Sequence, residues 1–179
     1  MLIEMVVESV RVNLQNYQRV VVLKEKSSER YLPIWIGNSE ADAIVIQLQN
    51  VSVPRPWTHD LLKTIINELS AKVSRIIVND LSEEVFYARI NLEINGRVIE
   101  IDSRPSDAIA LAVRLKAPIF AEDTVLEKAG VNLDGTQDTE TPSEQGPSKE
   151  KEEDPQKLSV FRDFIDTLDM DDVGKTEKS

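Results

Sequence analysis

Three short segments carry residue types that could hold an anion such as a phosphate: Ile36–Ala41, Arg55–Asp60 and Asp102–Asp107. Each ends a strand or loop and opens a helix, so each gathers unpaired backbone N–H donors at a helix N-terminus, a natural place for an anion. Two of them also carry a guanidinium, Arg55 and Arg104. Arg55 and Arg104 would clamp the phosphate, with Thr58, Ser103 and Ser106 adding donors. His59 could be a general base or a metal ligand, an imidazole's unperturbed pKa of about 6.5 lying near neutrality, or simply a residue at the start of its helix. Glu40, Asp60, Asp102 and Asp107 would supply oxygen ligands for a divalent ion, Mg or Mn.

The same residues have a plainer reading. Ser39, Thr58 and Ser103 or Ser106 are placed to cap helices, and Asp60 and Asp107 to answer helix dipoles. Asp102 is placed to pair with Arg89, and Asp42 to sit on a solvated helix face. As nucleophiles, Ser103 and Ser106 have no base nearby in sequence.

Composition narrows the chemistry. The 179 residues include no Cys, which excludes disulfides, thiolate nucleophiles and Cys-ligated zinc, and a single His, which excludes two-histidine acid–base catalysis. Six glycines and no phosphate-cradling loop make nucleoside-triphosphate and dinucleotide folds poor fits. The formal charge of −11 is uneven: residues 1–121 carry 14 basic against 15 acidic side chains, residues 122–179 carry 7 against 17. A near-neutral domain thus precedes an acidic tail, and no basic stripe predicts strong sequence-independent nucleic-acid affinity. No apolar stretch approaches the roughly 20 residues of a membrane helix, and no signal-like start is present, so a soluble, cytoplasmic chain without membrane partners is expected.

The elements that would position these groups follow from periodicity. Alternation over Leu2–Val12, Val20–Leu23 and Tyr31–Ile36 predicts three strands, with Pro33 marking an edge or bulge. A helix of about three turns follows Gly37-Asn38-Ser39, and a second opens at Thr58 with Leu61, Leu62, Ile65, Ile66 and Leu69 as its buried stripe. Strands are expected over Lys72–Asp80 and Glu84–Ile94. Asn95-Gly96 predicts a type I′ hairpin in which Leu92 faces Ile99, Ile90 faces Ile101 and Arg89 faces Asp102, placing a guanidinium beside that carboxylate. Pro105 opens a third helix packed through Ala108, Leu111, Ala112 and Leu115. A short strand at Pro118–Ala121 and a helix at Thr124–Ala129, with a Thr124/Glu127 capping box, complete the domain. Residues 132–156 read as a disordered acidic linker. Leu158, Phe161, Ile165 and Leu168 mark a 157–170 amphipathic helix, which needs a surface on this domain, another subunit or a partner protein; residues 171–179 form a disordered tail.

Leu32-Pro33-Ile34-Trp35-Ile36-Gly37 with Glu40-Ala41, the Arg55–Asp60 block, and the run from Asp102 to Ala112 together resemble the bifunctional nuclease domain family, over about residues 1–131. The resemblance implies an α+β domain on a curved mixed β-sheet, here of about six to seven strands with three to four helices, a tendency to form homo-oligomers, and cleavage of both RNA and DNA. The family's motif positions fall on Glu40, Arg55, Thr58, His59, Asp60, Asp102, Ser103, Arg104, Ser106 and Asp107. Plant members append a UvrB/UvrC-like interaction motif, which the tail here does not clearly match. With that resemblance, the expectation is a metal-assisted nuclease (a hydrolase, both DNase and RNase) of little sequence preference, with Arg55 and Arg104 clamping the phosphate, Asp60, Asp102, Asp107 and Glu40 holding the metal, His59 as base, and a catalytic centre of His59, Asp60, Asp107 and Arg104. The competing expectation is a non-catalytic oligomeric module binding a small anion, nucleotide or partner protein, with the 158–168 helix as its docking arm. A third idea is that the acidic linker mimics nucleic acid and occupies the site in cis.

Overall fold

The computed structural model describes residues 1–13 and 17–132. The expected linker beyond Asn132, the 157–170 helix and the 171–179 tail lie outside the described residues. Among the described residues, eight strands form one sheet: β1 (Leu2–Val12), β2 (Arg19–Glu25), β3 (Arg30–Ile36), β4 (Lys72–Ser82), β5 (Val85–Ile94), β6 (Arg97–Ser103), β7 (Ile119–Glu122) and β8 (Val131–Asn132). Four helices accompany them: α1 (Asn38–Leu48), α2 (Thr58–Glu68), α3 (Pro105–Leu115) and α4 (Asp123–Ala129). The α+β class and mixed sheet are as expected. The strand count exceeds six to seven because the two residues Val131 and Asn132, the latter read as linker, pair with Arg30 and Tyr31.

The sheet order is β6-β5-β4-β7-β1-β2-β3-β8. Two antiparallel blocks, β6-β5-β4 and β1-β2-β3, are joined by the four-residue β7, which runs parallel to β4 and antiparallel to β1. On one face Ile119 lies between Ile76 and Met5, and Ala121 between Val78 and Ile3, so a single apolar layer crosses the junction. At Pro33, among the described residues, the strand pairs with β2 alone, since β8 reaches no further than Tyr31, so the proline sits at an edge of the sheet as expected. Asn95 (φ 49°) and Gly96 (φ 72°) form the expected left-handed turn. The register follows: Leu92 opposite Ile99, Ile90 opposite Ile101, Arg89 opposite Asp102. The guanidinium corrects one detail. Arg89 reaches diagonally to Glu100, Nη1 to Oε2 at 2.9 Å, rather than to Asp102.

Helix starts differ from the expected caps. Gly37, Trp57, Arg104 and Glu122 occupy the N-cap positions, and none makes a side-chain cap bond. Ser39 and Ser106 are second residues of their helices, Thr58 is a first residue, and Ser103 donates from Oγ to the Ala88 carbonyl at 3.4 Å. Acids in the third position and Pro105 in the first set these starts instead. α3 is buried on almost every side: Ala108, Ile109, Ala110, Leu111 and Ala112 are at most 1% exposed, a wider face than the expected stripe. Its small side chains admit α1 and α2 as neighbours while the helix rests on β4 and β5.

Candidate active site

Glu40, Asp60 and Asp107 are each the third residue of a helix, α1, α2 and α3 in turn, where a carboxylate complements the positive end of the dipole. The packing of α1 and α2 on α3 brings these starts together. Arg104, the residue before α3, donates from Nε to Asp107 Oδ2 at 2.8 Å and from Nη2 to Glu40 Oε1 at 2.7 Å. Asp107 Oδ1 lies 3.0 Å from His59 Nε2. A four-member chain, Glu40–Arg104–Asp107–His59, therefore joins all three sequence segments.

The electrostatics assign the protons. Burial opposes ionisation of Asp107, but the bonds from Arg104 and His59 outweigh it and hold the carboxyl below its ordinary range. Asp107 and Glu40 in turn hold the Arg104 guanidinium above its usual value. An ionised Asp107 can only accept, so His59 Nε2 is the donor. His59 is 6% exposed, and its Nδ1 is buried with no partner among the described residues. Arg104, by contrast, is open: its side chain is 66% exposed. Gly37 makes room for the cluster, because a Cβ there would collide with Glu40 Oε2.

Asp60 belongs to a neighbouring link. Its Oδ2 accepts the Trp57 N–H at 2.9 Å, and its Oδ1 accepts Arg114 Nε at 2.7 Å. Burial raises its pKa, and those two bonds more than reverse the effect, leaving it below the ordinary range. Arg114 was not among the expected site residues. Its side chain is 2% exposed, and Nη1 donates to the carbonyls of Ala43 and Ala110 at 3.0 and 2.9 Å. The signal for it was an arginine among alanines, seven residues from Asp107 and so on the same helix face.

The remaining expected residues stay outside the chain. Arg55 is exposed in the α1–α2 connection and makes no ion pair with a described residue. Thr58 is exposed, Ser106 is buried in the first turn of α3, and Asp102 is exposed on β6. The expected Mg or Mn ligands Glu40, Asp60, Asp102 and Asp107 do not form a metal-holding group: among the described residues no three His, Asp or Glu side chains are so arranged. Glu40 and Asp107 grip Arg104, Asp60 grips Arg114, and Asp102 stands apart on its strand. As arranged, these residues do not fit a resident metal.

What the arrangement offers chemically is an exposed guanidinium bound to two carboxylates above a buried imidazole. Among the described residues no helix is long and apolar enough to cross a membrane. An uncharacterized protein of Mycobacterium tuberculosis is 38% identical over 173 residues, 97% of this chain and 99% of its own length. Bifunctional nuclease 2 of Oryza sativa subsp. japonica is 30% identical over 118 residues, 64% of this chain and 36% of that protein. Bifunctional nuclease 2 of Arabidopsis thaliana is 28% identical over 142 residues, 75% of this chain and 43% of that protein. The chain thus spans less than half the length of these plant relatives. The family model for the bifunctional nuclease domain matches residues 21–134, and this chain belongs to that family.

Proposed function

We propose that this protein is a cytoplasmic nuclease that hydrolyses RNA and DNA with little sequence preference at the Glu40–Arg104–Asp107–His59 chain. Family membership supports nucleic acid as the substrate class. The observation that carries the seat of activity is the exposed Arg104 guanidinium held between Glu40 and Asp107, where all three motif segments converge.

A phosphate oxygen competes with a carboxylate for a guanidinium on nearly equal terms. When Arg104 turns to the scissile phosphate, Asp107 loses its strongest pKa-lowering partner and becomes a better base. A water beside the released oxygens of Glu40 or Asp107 then gives up a proton to the carboxylate and adds to phosphorus. The bond to the leaving oxygen breaks as that oxygen takes the same proton from the carboxylic acid just formed, which restores the carboxylate. His59, with Nε2 on Asp107 and Nδ1 buried, serves here by orienting Asp107 rather than as the base read from sequence. No step is routed through a metal; activity in EDTA, against re-addition of Mg or Mn, measures whether one is required.

The test is digestion of single-stranded RNA and DNA by the purified chain beside His59→Ala and Asp107→Ala. Loss of the Asp107 carboxylate should lower the rate about 100-fold or more. Equal digestion by all three proteins would place the activity elsewhere.

A second reading, a non-catalytic oligomeric module, is favoured by β6. Among the described residues this edge strand has one neighbour, and Val98, Ile99 and Ile101 are 62%, 48% and 43% exposed. An open apolar edge accepts another strand. Antiparallel pairing of two copies about Glu100 sets Ile99 of one copy opposite Ile101 of the other, twice, and extends the apolar face already shared with Ile90 and Leu92. A purified protein without nuclease activity that still binds inorganic phosphate through Arg104 would favour this reading.

A further inference from the structure

We infer that Arg114 is a positioning residue: with Asp107 it clamps the first turn of α2 and so presents His59 to the helix-start cluster. Asp107 and Arg114 stand two turns apart on one face of α3 and hold consecutive residues of α2, Asp107 taking His59 at 3.0 Å and Arg114 taking Asp60 at 2.7 Å. The second grip extends further. Through Nη1 Arg114 also holds the Ala43 carbonyl of α1, so one buried side chain fixes three helices relative to each other. Through Asp60, whose other oxygen takes the Trp57 N–H, it fixes the residue at which α2 begins. One turn along α2, Lys63 Nζ returns a bond to the Arg114 carbonyl at 3.3 Å.

Stability alone does not explain a guanidinium in this place. An apolar side chain of similar volume would fill the space without a charge to desolvate, and such replacements are often neutral or stabilising. What an apolar residue lacks is direction. His59 needs direction from outside, because its ring is held at Nε2 only, with no partner for Nδ1 among the described residues. Its aim therefore depends on where the backbone of the first α2 turn lies, and Arg114 sets that position.

The catalytic meaning of the clamp rests on the nuclease reading above, whereas its effect on the ring can be measured without it. His59 is the single histidine of the chain, so its ring N–H gives one assignable NMR signal. The full-length protein would be compared with Arg114→Met, Asp60→Asn and, as a control of general destabilisation, Leu126→Ala in α4. The wild type and Leu126→Ala should show a slowly exchanging Nε2–H. In Arg114→Met and Asp60→Asn it should exchange at least ~10-fold faster, because the turn opens locally. Asp60→Asn keeps the shape of the side chain but cannot accept from both Trp57 and Arg114, and it decides the question alone if Arg114→Met does not fold. Unchanged exchange in Asp60→Asn, or equal acceleration in Leu126→Ala, would overturn the inference. Digestion of single-stranded RNA is read on the same samples: a silent wild type would sink the nuclease reading while the ring signal still judged Arg114.

Discussion

Glu40 and Asp107 accept hydrogen bonds from one guanidinium, that of Arg104, at 2.7 and 2.8 Å. The arrangement leaves two carboxylates and one cation at an exposed point, a net negative charge that by itself does not attract nucleic acid. On the proposed reading its value lies in exchange, since a phosphate arriving at Arg104 would release the acids that activate water.

Arg104→Ala should therefore lower kcat/KM on single-stranded RNA by about 100-fold or more. Arg104→Lys keeps the charge but not the planar fork, and should recover less than about a tenth of the lost activity. Full activity in the lysine variant would show that charge alone suffices.

Gly37→Ala separates the cluster from the fold. The backbone at Gly37 is extended with φ −71°, so alanine brings no strain there, but its Cβ displaces the flexible end of Glu40. Stability should change by about 1 kcal/mol or less, the scale of a rotamer adjustment and an exposed ion pair. Nuclease activity should fall more than stability does, as read by parallel urea titration and RNA digestion.

Acid should weaken the protein through named groups. Glu25, held by Arg30 and by Ser28 and Ser27 against the cost of burial, lies below its ordinary pKa, as do Asp60 and Asp107. A depressed carboxylate contributes stability that is complete above its unfolded pKa of about 4 and is lost as pH falls through the folded value. Urea midpoints should hold from pH 7 to about 5 and drop below about 4. Arg104→Ala returns Asp107 toward its ordinary range and should flatten that drop; superimposable curves for the two proteins would contradict the assigned cause.

Gly96→Ala should cost about 1 kcal/mol. Nothing lies within 4 Å of a Cβ built there, so the loss comes from the φ of +72° alone. Urea unfolding measures it.

Ile101→Lys tests the edge. If copies associate through β6, sedimentation or light scattering should show self-association weakened at least ~10-fold, because two lysines would face apolar strand. An unchanged mass distribution would move any interface elsewhere.

Local signals settled much of this protein in advance. Alternation placed the strands, Asn95-Gly96 set the β5–β6 register residue by residue, and Pro105 marked the start of α3, because each depends on neighbours in the chain and on the steric limits of single residues. The motif segments were also legible, as polar clusters at helix starts. Partnership was not. Whether Arg89 takes Asp102 or Glu100, whether Asp60 only answers its helix dipole or also ties to Arg114, and whether Ser103 caps a helix or bonds a strand carbonyl are decided by side-chain reach across packed elements. The burial of Arg114 depends on α1 and α2 closing over α3, and the exposure of Ile99 and Ile101 on how little of the described chain packs against β6. Such outcomes belong to packing, since the energy of a charge or an apolar side chain depends on what surrounds it in space.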